Sequence, residues 1–258
     1  MNRTIETILQ NNGIKISGIC CFTDVASRLL ETRNRTQLTN GMQSVIVMLF
    51  PYYTGEYHSR LSKYALVPDY HMVIKEYQDR VVVALKKAFP NNNFVPFADN
   101  SPIPEVFAAA KAGLGVIGQN GLLLNRRYGS FVFIGEIVTD LLLSPTGGEL
   151  AYCEDCGLCY RACPAQSMED KSRCLSEITQ KKSDLSQEEK ELIKQSGFIW
   201  GCDICQNICP YNHFIEKTDI KEFLTDIRPE YTKGDDLTGR AYAWRGRKVI
   251  ERNCDIVE

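Results

Sequence analysis

The chain has 258 residues, enough to bury a substantial core in one large or two modest domains. Its 44% hydrophobic and 24% charged residues are those of an ordinary globular protein, and a net charge of −2 excludes a globally basic nucleic-acid binder while leaving room for a local basic patch. Residues 1–13 are polar and lack the apolar centre of a signal peptide, and no apolar run is long enough to span a bilayer, so a cytoplasmic protein with no membrane contact is expected.

In chain order, Ile5, Ile8 and Leu9 share a helical face ahead of Gly13, and 14–21 then reads as a strand. The continuous apolar run SVIVMLF, 44–50, has the pattern of a strand covered on both faces. Residues 70–89 place Val73, Ile74, Tyr77, Val81, Ala84, Leu85 and Ala88 at amphipathic-helix spacing. A strand over 94–98, a helix over 104–112 and a long strand over 131–138 follow. Strands alternating with helices indicate an α/β or α+β sheet domain over 1–148, ending at Thr146-Gly147-Gly148. AGLGVIG matches GxGxxG through Gly113, Gly115 and Gly118, but a helix pattern precedes it where a dinucleotide loop needs a strand, so a Rossmann site is rejected.

The region 149–215 is built on cysteines. Cys153, Cys156, Cys159, Cys163 and Pro164 form CxxCxxCxxxCP, and Cys202, Cys205, Cys209 and Pro210 form a second run. In two-cluster ferredoxins the fourth Cys of such a run ligates the other cluster, which places Cys153, Cys156, Cys159 and Cys209 on one [4Fe–4S] cluster and Cys163, Cys202 and Cys205 on another. Cys174 is the natural eighth ligand. Structural zinc and disulfides are the competing readings, less specific for the paired runs. Cys20, Cys21 and Cys254 lie outside the runs and read as small buried apolar residues. Between the runs, Ser186 and Glu189 stand at capping-box spacing ahead of a helix that Gly197 can close.

Beyond position 215, the segment 216–258 carries Arg240, Arg245, Arg247, Lys248 and Arg252 with Tyr242 and Trp244 interleaved, which suits either RNA contact or a solvated face. Asp99, in PFADNSP after a predicted strand, sits where a loop can aim a carboxyl into a pocket, although by position alone a turn or a helix cap is favoured. His71 is isolated on a helix and reads as a packing residue. Ile74 stands where a cobalamin-ligating DxH motif would require glycine.

SKYALVPDYH (62–71), PFADNSP (96–102), KAGLGVIGQNGLLLNRRYGSFVFIGEIVTDLLL (111–143), the first cysteine run, RCLSEIT (173–179), GCDICQNICPYN (201–212) and LTGRAYAWRGR (237–247) together resemble the epoxyqueuosine reductases of queuosine biosynthesis, relatives of the cobalamin-dependent reductive dehalogenases. The resemblance implies a nitroreductase-like, cobalamin-binding α/β domain followed by a ferredoxin-like double [4Fe–4S] domain, in a short form without the family's C-terminal helical-repeat domain. It implies two-electron reduction of epoxyqueuosine to queuosine in a tRNA anticodon loop, by a monomer fed from a low-potential electron donor. Asp99 becomes the proton donor, and Ser62, Asp99, Leu123, Ile134, Ile137 and Thr179 become corrin contacts. Arg240 to Arg252 become a tRNA-contacting segment. Val116-Ile117-Gly118-Gln119 stands where the family has Trp-Ile-Gly-Lys. Alternatives are a cobalamin-dependent reductase of another electrophile, or a two-cluster electron carrier without chemistry of its own.

Overall fold

The computed structural model describes residues 2–258. Helix α1 (Asn2–Asn11) leads into strand β1 (Ser17–Cys21) and the short α2 (Phe22–Ala26), followed by β2 (Ser44–Pro51), α3 (Lys63–Leu66), α4 (Tyr70–Ala88), β3 (Phe94–Ala98) and α5 (Glu105–Lys111). A two-residue hairpin, β4 (Val116–Ile117) with β5 (Leu123–Leu124), precedes β6 (Val132–Thr139). The cysteine-bearing part contains α6 (Leu158–Ala162), α7 (Leu175–Gln180), α8 (Gln187–Ser196) and α9 (Ile204–Asn207), and the chain closes with α10 (Lys221–Leu224) and α11 (Arg247–Val257).

The main sheet runs β1-β2-β6-β3, with every neighbouring pair antiparallel. Alternation of strands and helices in sequence suggests parallel βαβ units; here the connections bring each strand back reversed, and the architecture is α+β. The run 44–50 is buried along its whole length, as both of its faces are covered. One face packs Ile46, Met48, Phe50 and Ile137 against Ile74, Tyr77, Val81 and Leu85 of α4 and Ile5 and Leu9 of α1. The opposite face packs Val45, Val47, Leu49, Phe97, Ile134 and Val138 against Ala108, Ala109 and Ala110 of α5, whose small side chains let that helix lie close. The rejected glycine motif serves this packing: a Cβ on Gly115 would stand 2.5 Å from the Leu124 carbonyl oxygen.

Two smaller cores hold the cysteine-bearing part. Leu175, Ile178, Leu185 and Ile193 join α7 to α8, and Leu61, Leu66, Trp200, Tyr242, Val249 and Ile250 join α3 to α11. The capping box is formed, with Ser186 Oγ accepting from Glu189 N and Glu189 Oε2 accepting from Ser186 N, and Gly197 closes α8 at φ +74°. Asn253 of α11 is fully buried and donates to the carbonyls of Thr179 (2.7 Å) and Ile199 (2.9 Å). Lys63 N donates to Asp203 Oδ2 at 2.6 Å, and Ser130 Oγ donates to Gln206 Oε1 at 2.8 Å, fastening the cysteine-bearing part to the sheet. Among the described residues no helix is long and apolar enough to cross a membrane.

The basic segment is divided by burial. Arg240 is 1% exposed, pairs with Asp226 and donates to the Leu66 and Asp226 carbonyls, so it is a structural clamp and not an RNA contact. Tyr242 is buried beside Trp200 and Tyr231. Arg252 donates to the Lys181 and Ser183 carbonyls. Trp244, 57% exposed with the Arg245 guanidinium stacked 3.7 Å from its ring centre, remains at the surface.

Candidate active site

A cavity of about 1350 Å³ lies where the sheet domain meets the cysteine-bearing part. Its sheet-side wall carries Tyr52, Tyr64, Tyr70, His71, Asp99 and Phe133. Tyr70 stacks on Phe133 at 4.1 Å and on His71 at 4.0 Å, which fixes the imidazole plane.

The centre of this wall is a carboxylate–imidazole–carboxylate array. Asp69 caps α4, accepting from His71 N at 3.1 Å and meeting His71 Nδ1 at 2.7 Å. His71 Nε2 then meets Asp99 Oδ2 at 2.9 Å. Burial of the ring disfavours its charge, but the hydrogen bonds and charges of Asp69 and Asp99 outweigh this and push the His71 pKa up to about 9. The same bond from His71, against partial burial, holds the Asp99 carboxyl below its ordinary range. At neutral pH the proton of the pair therefore resides on His71, within one hydrogen bond of Asp99. Asp99 and Asn100 have φ of 50° and 32°, a left-handed stretch that costs non-glycine residues energy and projects the carboxylate into the cavity.

His71, read from sequence as a packing residue, is thus part of the array. Its signal was the Asp69-Tyr70-His71 cap, in which an aspartate at the start of a helix faces the second residue of its own first turn. Of the residues expected at the corrin, Asp99 lies on the cavity wall. Ser62, Leu123, Ile137 and Thr179 are buried in the packing and Ile134 is 9% exposed, none of them a lining residue. The wall at those places is formed by their neighbours Tyr64, Leu122, Val132, Phe133 and Gln180. Strand alternation explains the offset, because Ile134 and Ile137 point into the two helix-covered layers.

The cysteines separate into two sets. Cys163, Cys174, Cys202 and Cys205 all line the cavity. Cys205 feels the charges of Cys174 and Cys163, and Cys202 those of Cys205 and Cys174. Cys153, Cys156 and Cys159 neighbour one another and Cys209, away from the cavity. Backbone amides point at the sulfurs: Gln119 N donates to Cys153 Sγ at 3.3 Å and Ser167 N to Cys163 Sγ at 3.4 Å. Sulfurs spread around a shared space with N–H groups turned toward them fit a larger inorganic core. None of the eleven cysteines is in a disulfide, with Cys20 and Cys254 buried and Cys21 partly so. On the cavity wall the Asn120 Nδ2 and Arg245 Nε atoms are buried without a hydrogen-bond partner, donors that a large amide-bearing ligand would satisfy.

Comparison with known proteins agrees with this arrangement. Residues 152–212 match the 4Fe-4S double cluster binding domain, and residues 33–100 match the family described as epoxyqueuosine reductase QueG, DUF1730. An epoxyqueuosine reductase of Leadbetterella byssophila is 37% identical over 227 residues, covering 84% of this chain and 74% of that protein. The structure of epoxyqueuosine reductase from Streptococcus thermophilus superposes with a TM-score of 0.82 at 24% identity, over 100% of this chain and 80% of that one. A crystal structure of epoxyqueuosine reductase with an epoxyqueuosine-modified tRNA-Tyr stem loop shares the fold, with a TM-score of 0.78 at 19% identity over 99% and 80% of the two chains. With the sequence match running through both the sheet that presents Asp99 and the double-cluster region, the chain belongs to the epoxyqueuosine reductase family.

Proposed function

We propose that this protein reduces epoxyqueuosine to queuosine in the anticodon loop of tRNA, using two [4Fe–4S] clusters and cobalamin. The observation that carries the reading is the shared cavity: the Asp69–His71–Asp99 array and the Cys163, Cys174, Cys202 and Cys205 sulfurs open onto one space. A proton source and an electron source facing each other are what reductive opening of an epoxide requires. The change adds two electrons and two protons, breaks both C–O bonds of the ring, and releases the oxygen as water.

Cys153, Cys156, Cys159 and Cys209 would hold one cluster and Cys163, Cys174, Cys202 and Cys205, which line the cavity, the other, and the pair would supply single electrons from a low-potential donor. When bound in the cavity, cobalamin supplies a low-valent metal nucleophile that no side chain offers. The chain does the rest. Tyr52, Tyr64, Tyr70 and Phe133 give the cavity an aromatic wall, and burial raises the tyrosine pKa values so that they remain neutral donors. Asp99 protonates the leaving epoxide oxygen, drawing the proton from His71, while Asp69 keeps the imidazole oriented. Trp244 and Arg245 at the rim offer a stacking face and a cation to an unpaired base and its phosphate. None of the eleven cysteines is in a disulfide, which suits a reducing cytoplasm.

The test is oxygen-free purification with cobalamin supplied, then incubation with a low-potential reductant and tRNA bearing epoxyqueuosine, with queuosine read by nucleoside mass spectrometry. Asp99→Asn is expected to keep iron and cobalamin while turnover falls roughly 10²- to 10⁴-fold. Normal turnover by that variant removes Asp99 from its role, and cobalamin retention without queuosine formation by the wild type points to another electrophile.

A further inference from the structure

Behind the Asp99 loop, on the side away from the main cavity, lies a second cavity of about 520 Å³ lined by Thr32, Asp99, Asn100, Ser101, Glu105 and Phe107 among others. Thr32, Asp99, Asn100 and Gly121 line both cavities, so the Asp99 loop is the partition between them. Glu105 starts α5 beneath this loop, with Oε1 buried and lacking a hydrogen-bond partner. One layer deeper, Glu136 of β6 is 0% exposed, and neither carboxyl oxygen makes a full hydrogen bond, the Ser101 hydroxyl being the group set against it. It projects into the α5 side of the sheet, opposite Val47 and Phe97 in register. Carboxyls so placed persist only if protonated, because an ionised group without partners carries a desolvation cost of several kcal/mol or more.

We propose that Glu105 relays protons from the side cavity to Asp99, and that Glu136 is a second protonated acid, buried beneath it, that favours the protonated form of Glu105. The proposal rests on the reading of Asp99 as proton donor. Each reduction consumes two protons, and a substrate seated in the main cavity blocks the direct route from solvent to Asp99. The side cavity, large enough for several waters and edged by the unpartnered Thr32 Oγ1, reaches the same carboxyl from behind. After Asp99 has given the epoxide oxygen the proton drawn from His71, the Glu105 O–H bond breaks and its proton passes by way of the Asp99 carboxylate to the neutral His71 imidazole. Glu105 is left as a carboxylate and is reprotonated by water of the side cavity. The titratable groups facing Glu105 are Asp99 from the loop, His71 from α4 and Glu136 from β6. Burial pushes the Glu105 pKa up, with the Asp99 charge adding to it, and burial raises Glu136 as well, against the opposing Ser101 hydroxyl. Both therefore hold protons at neutral pH, and Glu105, which lines the side cavity where Glu136 does not, is the one placed to exchange its proton with water.

The experiment has two arms. Difference infrared spectroscopy of the protein without tRNA should show protonated-carboxyl absorption near neutral pH that Glu136→Gln and Glu105→Gln each reduce. Its absence in the folded wild type overturns the proposal whatever the substrate proves to be. In the kinetic arm, Glu105→Gln should slow later turnovers on the order of tenfold more than the first, with formate partly restoring the steady state and Glu105→Asp intermediate. First and later turnovers falling by one common factor, or a steady state like the wild type, overturns it. A wild type inactive on epoxyqueuosine tRNA but showing the infrared signal would refute the substrate assignment and leave the protonated pair standing.

Discussion

Replacing His71 by Asn removes the charge that joins Asp69 to Asp99 while retaining a polar side chain of similar reach. The change from an ordinary 6.5 to about 9 corresponds to roughly 3.4 kcal/mol at full strength. The ring is 38% exposed, and solvent screening reduces this to about 1–2 kcal/mol of stability. Because the folded-state value is the higher one, this stabilisation is fully present below pH 6.5 and is lost as pH rises through about 9. The same shift keeps the imidazole about 99% charged at pH 7, against roughly a quarter for an unperturbed ring. The assay is the first-turnover rate of reduced enzyme against pH, beside thermal unfolding at pH 6 and above pH 9. For the wild type the rate should fall on the alkaline side near pH 9. In His71→Asn that limb should move into the carboxylate range, lowering the rate at neutral pH about 10²- to 10⁴-fold, while the melting difference narrows at high pH. An unchanged limb and an unchanged rate in the variant would refute storage of the proton on His71.

Cys174→Ala should lose the cavity-side cluster and keep the other, so that iron and sulfide per chain fall by about half and the remaining cluster is reduced without queuosine forming. Trp244→Ala should weaken tRNA binding by about 1–3 kcal/mol, as measured by salt-controlled titration, and leave the melting temperature within the error of the measurement. Arg240→Ala should do the reverse, destabilising the fold by about 2–4 kcal/mol in chemical denaturation because the Leu66 and Asp226 carbonyls lose their donor and the Asp226 carboxylate keeps only Arg228.

Local signals carried the elements well. The apolar run 44–50, the helical spacing of 70–89 and the Ser186–Glu189 box each state their structure in a few adjacent residues, and each formed within a residue or two of expectation. Strand direction did not follow, because antiparallel pairing of β6 with both β2 and β3 is decided by how long connections return, and alternation of element types is silent on that. The cysteine spacings pointed to both sulfur sets, since ligand geometry is encoded in short gaps. Side-chain fate was harder. Arg240 and Arg245 are alike in sequence, yet one is sealed beneath the Asp226 carbonyl and the other faces the cavity. His71 looked solitary because its partner Asp99 is 28 residues away, brought to it by β3 running beside α4. Ser62, Ile137 and Thr179, expected at the corrin, have buried side chains and do not line the cavity, a placement that a matched motif does not specify.

Asn253 has a consequence for anyone trimming this protein. Its single amide spans two carbonyls, one beside the cavity-side cysteine stretch and one next to Trp200, and so bastes together segments that are otherwise linked by modest apolar contact. A shortened version ending before Arg247 would strip that stitch, uncover Leu61, Leu66 and Trp200 where Val249 and Ile250 now pack, and slacken the very flank that must stay rigid for electrons to cross. The final helix is thus better regarded as tailoring for the redox centre than as an appendage.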